Sequence, residues 1–153
     1  MSQPQAINPR HPLSVVFLLH IFLEAPVAVQ GWWSPMSMPF LGLNNTTLVV
    51  LKLYSVMSLA TCLAALLCNG LPEFMAGKRA LGLALGLYHT TLSTILFQAP
   101  RIIPHTFGPL AESYKLTPEV AWGIGHGVVG LGFAIWWQLT VGYMAMIAGN
   151  ASR

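Results

Sequence analysis

The chain has 153 residues, of which 55% are hydrophobic and only 7% are charged. A soluble domain carries roughly 25% charged residues, so this composition predicts an integral membrane protein rather than a soluble enzyme. The formal net charge is +3, but the Lys and Arg residues are scattered along the chain. This scatter excludes a nucleic-acid partner and leaves only a generic attraction to lipid headgroups.

Four apolar stretches follow one another along the chain, at residues 13–31, 48–68, 80–99 and 120–143. Each is close to the ~20 residues with which a helix crosses ~30 Å of hydrocarbon. The stretches lack the alternation of barrel strands, and their connections are too short to fold separately. We therefore predict an all-α fold, a bundle of four transmembrane helices that forms a single domain over residues 1–153.

The first stretch contains a histidine and a glutamate one helical turn apart, His20 and Glu24, on the same face. A charge at the centre of a membrane helix costs about 2.5 to 3.5 kcal/mol, whereas a pair at i and i+4 returns only about 0.2 to 0.5 kcal/mol. Glu24 is therefore expected to be protonated or to meet a group from another helix. Pro26 cannot donate to the carbonyl of Phe22 and favours a kink beside it.

These features make Glu24 and His20 the candidate catalytic residues of a buried site in which a proton can move. An interhelical hydrogen-bond clamp that sets the rotation of the first helix explains the pair equally well.

The second stretch begins with the sequence NNTT at residues 44–47, which contains overlapping glycosylation sequons at Asn44 and Asn45. Asn and Thr are also common at helix starts, and capping is the interpretation we favour. Cys62 and Cys68 lie six residues apart, on different faces and without the spacing of a metal or redox motif, so we expect them to be packing residues.

The third stretch has small residues and a histidine on one face, because Gly82, Gly86, His89 and Ser93 follow one another at spacings of four, three and four. This is the small-residue pattern of closely packed membrane helices. His89 and Ser93 are predicted to bind a ligand, although structural hydrogen bonding is the favoured alternative for His89. The connection at residues 100–119 is either an ordinary connector or a lid over the bundle, and we prefer the connector.

In the fourth stretch His126 shares a predicted face with Gly130, Phe133 and Trp137, and we expect His126 and Trp137 to bind the ligand. Glycine-mediated packing is again the favoured alternative for His126. The sequence GHGVVG at residues 125–130 matches GxGxxG. It lies inside a membrane helix rather than between a strand and a helix, so a dinucleotide site is excluded.

Counting residues from the ends of the stretches puts Glu24 level with His126 and puts His20 level with His89. Three histidines and one carboxylate are therefore predicted to converge near the midplane. No HxxH or HExxH spacing is present, so we predict no metal and no cofactor. Metal or haem ligation is the less favoured alternative, since imidazole and carboxylate are suitable ligands.

The sequences LLHIFLEAPVAVQ in the first stretch and YHTTLSTIL in the third resemble the EXPERA-type membrane domain of sterol isomerases and the sigma-2 receptor. The resemblance implies an endoplasmic reticulum protein whose intramembrane acidic groups and histidine line a sterol-sized cavity. In the family's enzymes these groups move a double bond, and here Glu24 and His20 would carry over. The chain departs from the family because stretches two to four contain no acidic residue, which favours ligand binding over catalysis.

The expected partners are the lipid bilayer, a sterol- or terpenoid-like small molecule, and membrane proteins bound through glycine-rich helix faces. The main alternative function is a scaffold that assembles lipid-biosynthetic enzymes, since the chain resembles the small assembly factor of ergosterol synthesis in size and span count. Proton-coupled transport is disfavoured because no inverted repeat is present.

Basic residues favour one orientation by four to three. One set of flanks carries Arg10, Lys78, Arg79 and Arg153, and the other carries Lys52, Arg101 and Lys115. The positive-inside rule then predicts cytoplasmic termini. The sequons at Asn44 and Asn45 would face the lumen, and a third sequon at Asn150 would face the cytoplasm.

Overall fold

A computed structural model describes residues 11–151, and for residues 143–151 it describes the helical backbone alone. The helices are α1 (Val15–Trp33), α2 (Asn45–Asn69), α3 (Ala76–Gln98), the short α4 (Pro109–Ser113) and α5 (Pro118–Ala151). No strand occurs in residues 11–151. The charges of Arg10 and Arg153 and the side chain of Asn150, which entered the predictions above, lie outside the described parts of the chain.

Four helices are long and apolar enough to cross a membrane, over Pro12–Trp33, Asn45–Asn69, Ala76–Gln98 and Pro118–Gly142. The predicted four-helix membrane fold is thereby confirmed. All four spans begin slightly earlier than predicted, and in the last three the added residues include polar or charged ones such as Asn45, Lys78 and Glu119.

The start of α2 shows how a polar residue sets a boundary. The Asn44 side chain accepts a hydrogen bond from the Thr47 N–H at 3.0 Å, and the Thr47 hydroxyl accepts one from the Asn44 N–H at 2.7 Å. The two side chains form a capping box that satisfies otherwise free N–H groups. The capping interpretation of NNTT is confirmed.

Two helical hairpins make up the bundle. Helix α1 packs mainly on α2, helix α3 packs mainly on α5, and fewer contacts join α1 to α5 and α2 to α3. The connection at residues 70–75 lies at one end, which we call the Glu73 end. The connections at residues 34–44 and 99–117 lie at the other, which we call the Glu119 end.

The α3–α5 interface is built on glycine. A Cβ atom at Gly82 would collide with the ring of Trp136, and one at Gly130 would lie 2.9 Å from the Thr90 hydroxyl oxygen. A Cβ atom at Gly86 would come within 3.3 Å of a side chain on α5. The predicted small-residue packing of the third helix is confirmed, and its partner is α5 of the same chain.

At the Glu73 end a buried ion pair joins Lys78 Nζ to Glu73 Oε1 at 2.9 Å, with side-chain exposures of 0% and 1%. The Ser14 hydroxyl also donates to Oε1, and the Trp136 indole N–H donates to Glu73 Oε2 at 3.0 Å. We call these four residues the Glu73 cluster. Its hydrogen bonds outweigh the effect of burial and lower the pKa of Glu73 below its ordinary value.

The Glu73 cluster includes one of the basic residues counted for the orientation. The ammonium group of Lys78 is buried and paired with Glu73. The positive-inside rule counts Lys and Arg rather than net charge, so cytoplasmic termini stay a prediction.

At the Glu119 end a carboxylate fixes the long connection. Glu119 lies in the first turn of α5, so the expectation that the later spans lack an acidic residue was wrong. Its Oε1 accepts hydrogen bonds from the backbone N–H groups of Ile102 and Ile103 at 2.8 and 2.7 Å. The Leu41 N–H in turn donates to the Ile102 carbonyl at 2.7 Å. The two connections at this end are thus joined to each other and to α5.

Candidate functional site

A polar cluster fills the middle of the bundle. It draws on all four long helices and contains His20, Glu24, Tyr54, Ser58, Cys62, Tyr88, His89 and His126. The three histidines have no exposed surface, and Glu24 is 3% exposed. Toward the Glu73 end it is closed by an aromatic layer, in which the Phe17 ring meets the rings of Phe133 and Trp136 edge-on with centroids 5.2 Å apart.

The three imidazoles form a continuous row. His20 Nδ1 lies 2.9 Å from His89 Nε2, and His89 Nδ1 lies 2.8 Å from His126 Nδ1. A neutral imidazole carries a single N–H, so each contact needs the proton of one partner and the lone pair of the other. When all three rings are neutral, the protons in both contacts point the same way along the row. The row ends at Cys62, whose Sγ lies 3.9 Å from His20 Nε2.

The two oxygens of Glu24 have different surroundings. Oε2 accepts hydrogen bonds from the Ser58 hydroxyl at 2.9 Å and from the Tyr54 hydroxyl at 3.1 Å. Oε1 has no hydrogen-bond partner and lies 3.5 Å from His126 Nδ1. One oxygen is therefore held in place by two hydroxyl groups, while the other faces the histidines.

Tyr54 and Tyr88 join helices that otherwise make few contacts. Their hydroxyl oxygens are 2.6 Å apart, which links α2 to α3 beside Glu24. Both tyrosines are half-buried, unlike the histidines. The tyrosine pair therefore forms the outer edge of the polar cluster.

The predicted convergence of His20, Glu24, His89 and His126 is confirmed by these distances. Glu24 contacts Tyr54 and Ser58 of α2 and His126 of α5. This agrees with the expectation that a carboxyl group inside a membrane helix needs partners from other helices. Ser93 lies elsewhere, because its hydroxyl donates to the Gly123 carbonyl at 2.8 Å and joins α3 to α5.

His126 and Trp137 lie eleven residues apart in α5, about three helical turns, and Trp137 packs partly buried against the core. The fully buried ring is its neighbour Trp136, whose N–H donates to Glu73. Trp137 is half-buried on the flank of α5, where the Arg79 guanidinium lies 4.1 Å from its ring centroid. A buried indole N–H needs an acceptor, and only one of the two adjacent rings can reach Glu73.

Sequence reasoning missed the two tyrosines of the cluster. Tyr54, Ser58 and Cys62 follow one another at intervals of four, so they mark a polar stripe on α2 that could have been recognised. Tyr88 directly precedes His89, and no spacing signal distinguishes it from a lipid-facing tyrosine.

A groove of about 430 Å³ lies on the outer surface near the start of α2 and includes one residue of the polar cluster, Tyr54, in its walls. Its walls are Val50, Leu51 and Tyr54 of α2, together with Phe40 and Ile102 from the two connections at the Glu119 end. Tyr54 thus lines the groove and also donates to Glu24. The histidines do not line it.

The arrangement offers a lipid-facing groove, a phenol hydroxyl in its wall and a buried carboxylate and imidazole row behind that hydroxyl. The chain matches no protein-family model, no curated protein and no solved structure.

Proposed function

We propose that this membrane protein binds a lipophilic small molecule, of the sterol or terpenoid kind, in the groove beside Tyr54. The position of Tyr54 carries the proposal, because the same side chain lines an apolar groove and donates to Glu24. A ligand with one hydroxyl or carbonyl group would place its hydrocarbon part against Val50 and Phe40. Its polar group would meet the Tyr54 hydroxyl.

The dimensions and walls of the groove support a ligand of this kind. Small-molecule sites have volumes of roughly 300 to 1,000 Å³ and apolar walls with a few polar groups. The volume of about 430 Å³ lies in this range, and the walls are mainly hydrophobic. Because Val50 is 59% exposed on a membrane-spanning helix, a lipophile could enter from the bilayer.

The polar cluster also supports acid and base chemistry as an extension of binding. Glu24 does not line the groove, so a proton would travel between Glu24 and the ligand through the Tyr54 hydroxyl. His126, 3.5 Å from Glu24 Oε1, could supply or accept the proton on the other side. An isomerase-type reaction needs such a reversible donor and acceptor. The EXPERA-like sequence features suggest the same chemistry and an endoplasmic reticulum location.

Mass spectrometry of lipophiles that co-purify in mild detergent tests the binding proposal. We expect one sterol or terpenoid species to be enriched with the parent protein and lost from the Val50→Trp variant, whose indole would fill the groove. Val56→Trp is the matched control, because Val56 is exposed on the same helix but does not line the groove. Equal recovery from both variants would refute this site.

Turnover of a supplied sterol by the purified protein tests the catalytic part of the proposal. If the relay operates, Glu24→Gln should eliminate turnover of a supplied sterol with a ring double bond, and Tyr54→Phe should greatly reduce it. Turnover that is unchanged in both variants would remove the catalytic part of the proposal while leaving the binding part in place.

A scaffold for lipid-biosynthetic enzymes predicts a different result, in which only bulk lipid co-purifies. The glycine faces once expected to receive partner helices are occupied within the chain. Gly82 faces Trp136 and Gly130 faces Thr90. The structure therefore gives the scaffold less support than the groove gives to ligand binding.

A further inference from the structure

Three side chains of the polar cluster have the composition and spacing of metal ligands. His20, Glu24 and His89 each offer one donor atom, and these atoms lie within 4.8 Å of one another. All three residues are buried. His126 lies beside this set, with its Nδ1 3.5 Å from Glu24 Oε1 and 2.8 Å from His89 Nδ1.

The hydrogen-bonding capacity of the cluster is incompletely used. Glu24 Oε1 and His126 Nε2 are buried and have no hydrogen-bond partner. Orphaned polar atoms are costly in a low-dielectric interior. A cation is one group that would satisfy Glu24 Oε1, because a carboxylate oxygen without a donor is free to coordinate.

The distribution of charged side chains also favours a cation beside Glu24. Among the described residues, the ion pairs of Lys and Arg involve Glu73 and Glu112, and Glu24 pairs with His126 alone. An ionised Glu24 beside neutral imidazoles would leave a negative charge in the middle of the membrane. A divalent cation would supply the counter-charge that Glu24 lacks and would leave one positive charge, shared among the ligands.

The surroundings of Glu24 resemble the outer shell of a metal site. Ser58 and Tyr54 both donate to Oε2 and so orient the carboxylate with Oε1 toward the imidazoles. Ligating carboxylates are commonly held in this way, by hydrogen bonds to the atoms that do not bind the metal.

We propose that His20, Glu24 and His89 bind a divalent transition-metal ion, with Zn²⁺ as the ion to test first. Two imidazoles, one carboxylate and an open fourth position are a known donor set for Zn²⁺, with Zn–N bonds of roughly 2.0 to 2.1 Å that place ligand nitrogens about 3.3 Å apart. His20 Nδ1 and His89 Nε2 lie 2.9 Å apart, so the two rings would separate slightly on binding. His89 Nδ1 would keep its contact with His126 Nδ1 as the outer-shell partner of a ligating imidazole. The proposal is independent of the lipophile groove.

Elemental analysis of the full-length protein tests the metal site. The protein is purified in mild detergent with a tag that lacks histidine, treated with a chelator, reloaded with Zn²⁺ and freed of excess ion. We expect about one Zn²⁺ per chain, and reloading with Co²⁺ should give the intense visible bands of tetrahedral coordination.

Two variants and one control assign the ligands. Glu24→Gln and His89→Asn should each weaken Zn²⁺ binding by at least about tenfold, since loss of an outer-shell partner alone costs about 10- to 100-fold. His105→Asn is the control, because His105 is an exposed histidine of the 99–117 connection, and it should bind like the parent. Gel filtration and helical circular dichroism monitor folding.

A parent protein that retains no Zn²⁺ or Co²⁺ would overturn the proposal, and so would full retention by Glu24→Gln. If His89→Asn does not fold, the near-isosteric Glu24→Gln decides the result. The Val50→Trp variant separates the two proposals, since it should lose the lipophile and keep the metal.

Discussion

Three buried carboxylates in this protein are stabilised in three different ways. Glu73 has the ammonium group of Lys78, and Glu119 accepts hydrogen bonds from two backbone N–H groups. Glu24 has two hydroxyl donors on one oxygen and none on the other. Of the three, Glu24 lies in the middle of a membrane-spanning helix, whereas Glu73 lies in a connection and Glu119 in the first turn of α5. Glu24 is thus the least compensated of the three carboxylates, which is why the proposals rest on it.

Removal of the Lys78 charge tests the Glu73 cluster. We expect Lys78→Met to lower the free energy of unfolding by about 3 to 5 kcal/mol, because it leaves the Glu73 carboxylate buried without its counter-ion. Denaturation in detergent, followed by circular dichroism, measures this loss. Lys52→Met is the control, since Lys52 is exposed, and it should change stability little. A small effect of both substitutions would contradict the structural role of the ion pair.

Acid should weaken the same cluster. The pKa of Glu73 is lowered by its hydrogen bonds and by Lys78, so its contribution to stability is complete above the unfolded-state pKa of about 4.3. That contribution is lost as the pH falls through the lower pKa of the folded state. Melting curves of parent and Glu73→Gln between about pH 6 and about pH 3 should converge toward the acidic limit. A constant difference between them would count against this assignment.

At the scale of elements, the α3–α5 pair depends on backbone approach. Gly130 lies so close to α3 that an added Cβ atom would be 3.2 Å from the Thr90 backbone nitrogen. Helices can pack at this distance only where one of them lacks a side chain. The histidines depend on the same approach, because Gly130 also lies against the Cβ atom of His89.

Enlarging this glycine should separate α3 from α5. Gly130→Leu is expected to cost more than the 1 to 3 kcal/mol typical of overpacking, about 3 kcal/mol or above, because backbone atoms must move. Gly77→Leu is the matched control on α3, since an added Cβ atom there meets nothing within 4 Å. Thermal unfolding in detergent distinguishes them. Equal melting temperatures of the two variants would show that the α3–α5 interface tolerates a side chain at position 130.

The connection at residues 99–117 is held to α5 by Glu119. We expect Glu119→Ala to free the backbone N–H groups of Ile102 and Ile103 and to speed tryptic cleavage after Arg101 several-fold, with the four spans intact. Glu112→Ala is the control, because its contact with Arg101 is exposed and 3.9 Å long and so contributes little. If both variants are cut at the same rate, Glu119 does not anchor the connection.

On the scale of the whole molecule, four spans place successive connections on alternate sides of the membrane. In sealed vesicles, a membrane-impermeant thiol reagent should label Phe74→Cys and His105→Cys from opposite sides, because α3 lies between them. Cys68 is half-buried near the end of α2, so Cys68→Ser is made in both backgrounds. Labelling from the same side would contradict the span assignment. The side that contains Phe74 also tests the predicted orientation, because cytoplasmic termini place the connection at residues 70–75 in the cytoplasm as well.

The amino-acid sequence by itself determined the class of protein, the number of spans and the histidines and carboxylate of the core. Hydropathy is a sum over consecutive residues, so membrane spans can be identified without knowing which helices pack together. That His20 and Glu24 lie on the same helix face follows from local helical geometry in the same way. Capping by Asn44 was likewise predictable, since the partners are three residues apart.

Only the tertiary structure decided which groups meet. It joined Tyr54 and Tyr88 to Glu24, buried Lys78 against Glu73 and placed Trp136, rather than Trp137, in the core. These outcomes depend on the rotation and approach of whole helices. In a bilayer the surrounding lipid is as apolar as the side chains, so hydropathy does not determine which face of a helix turns inward. Packing and interhelical hydrogen bonds set the helix rotation instead.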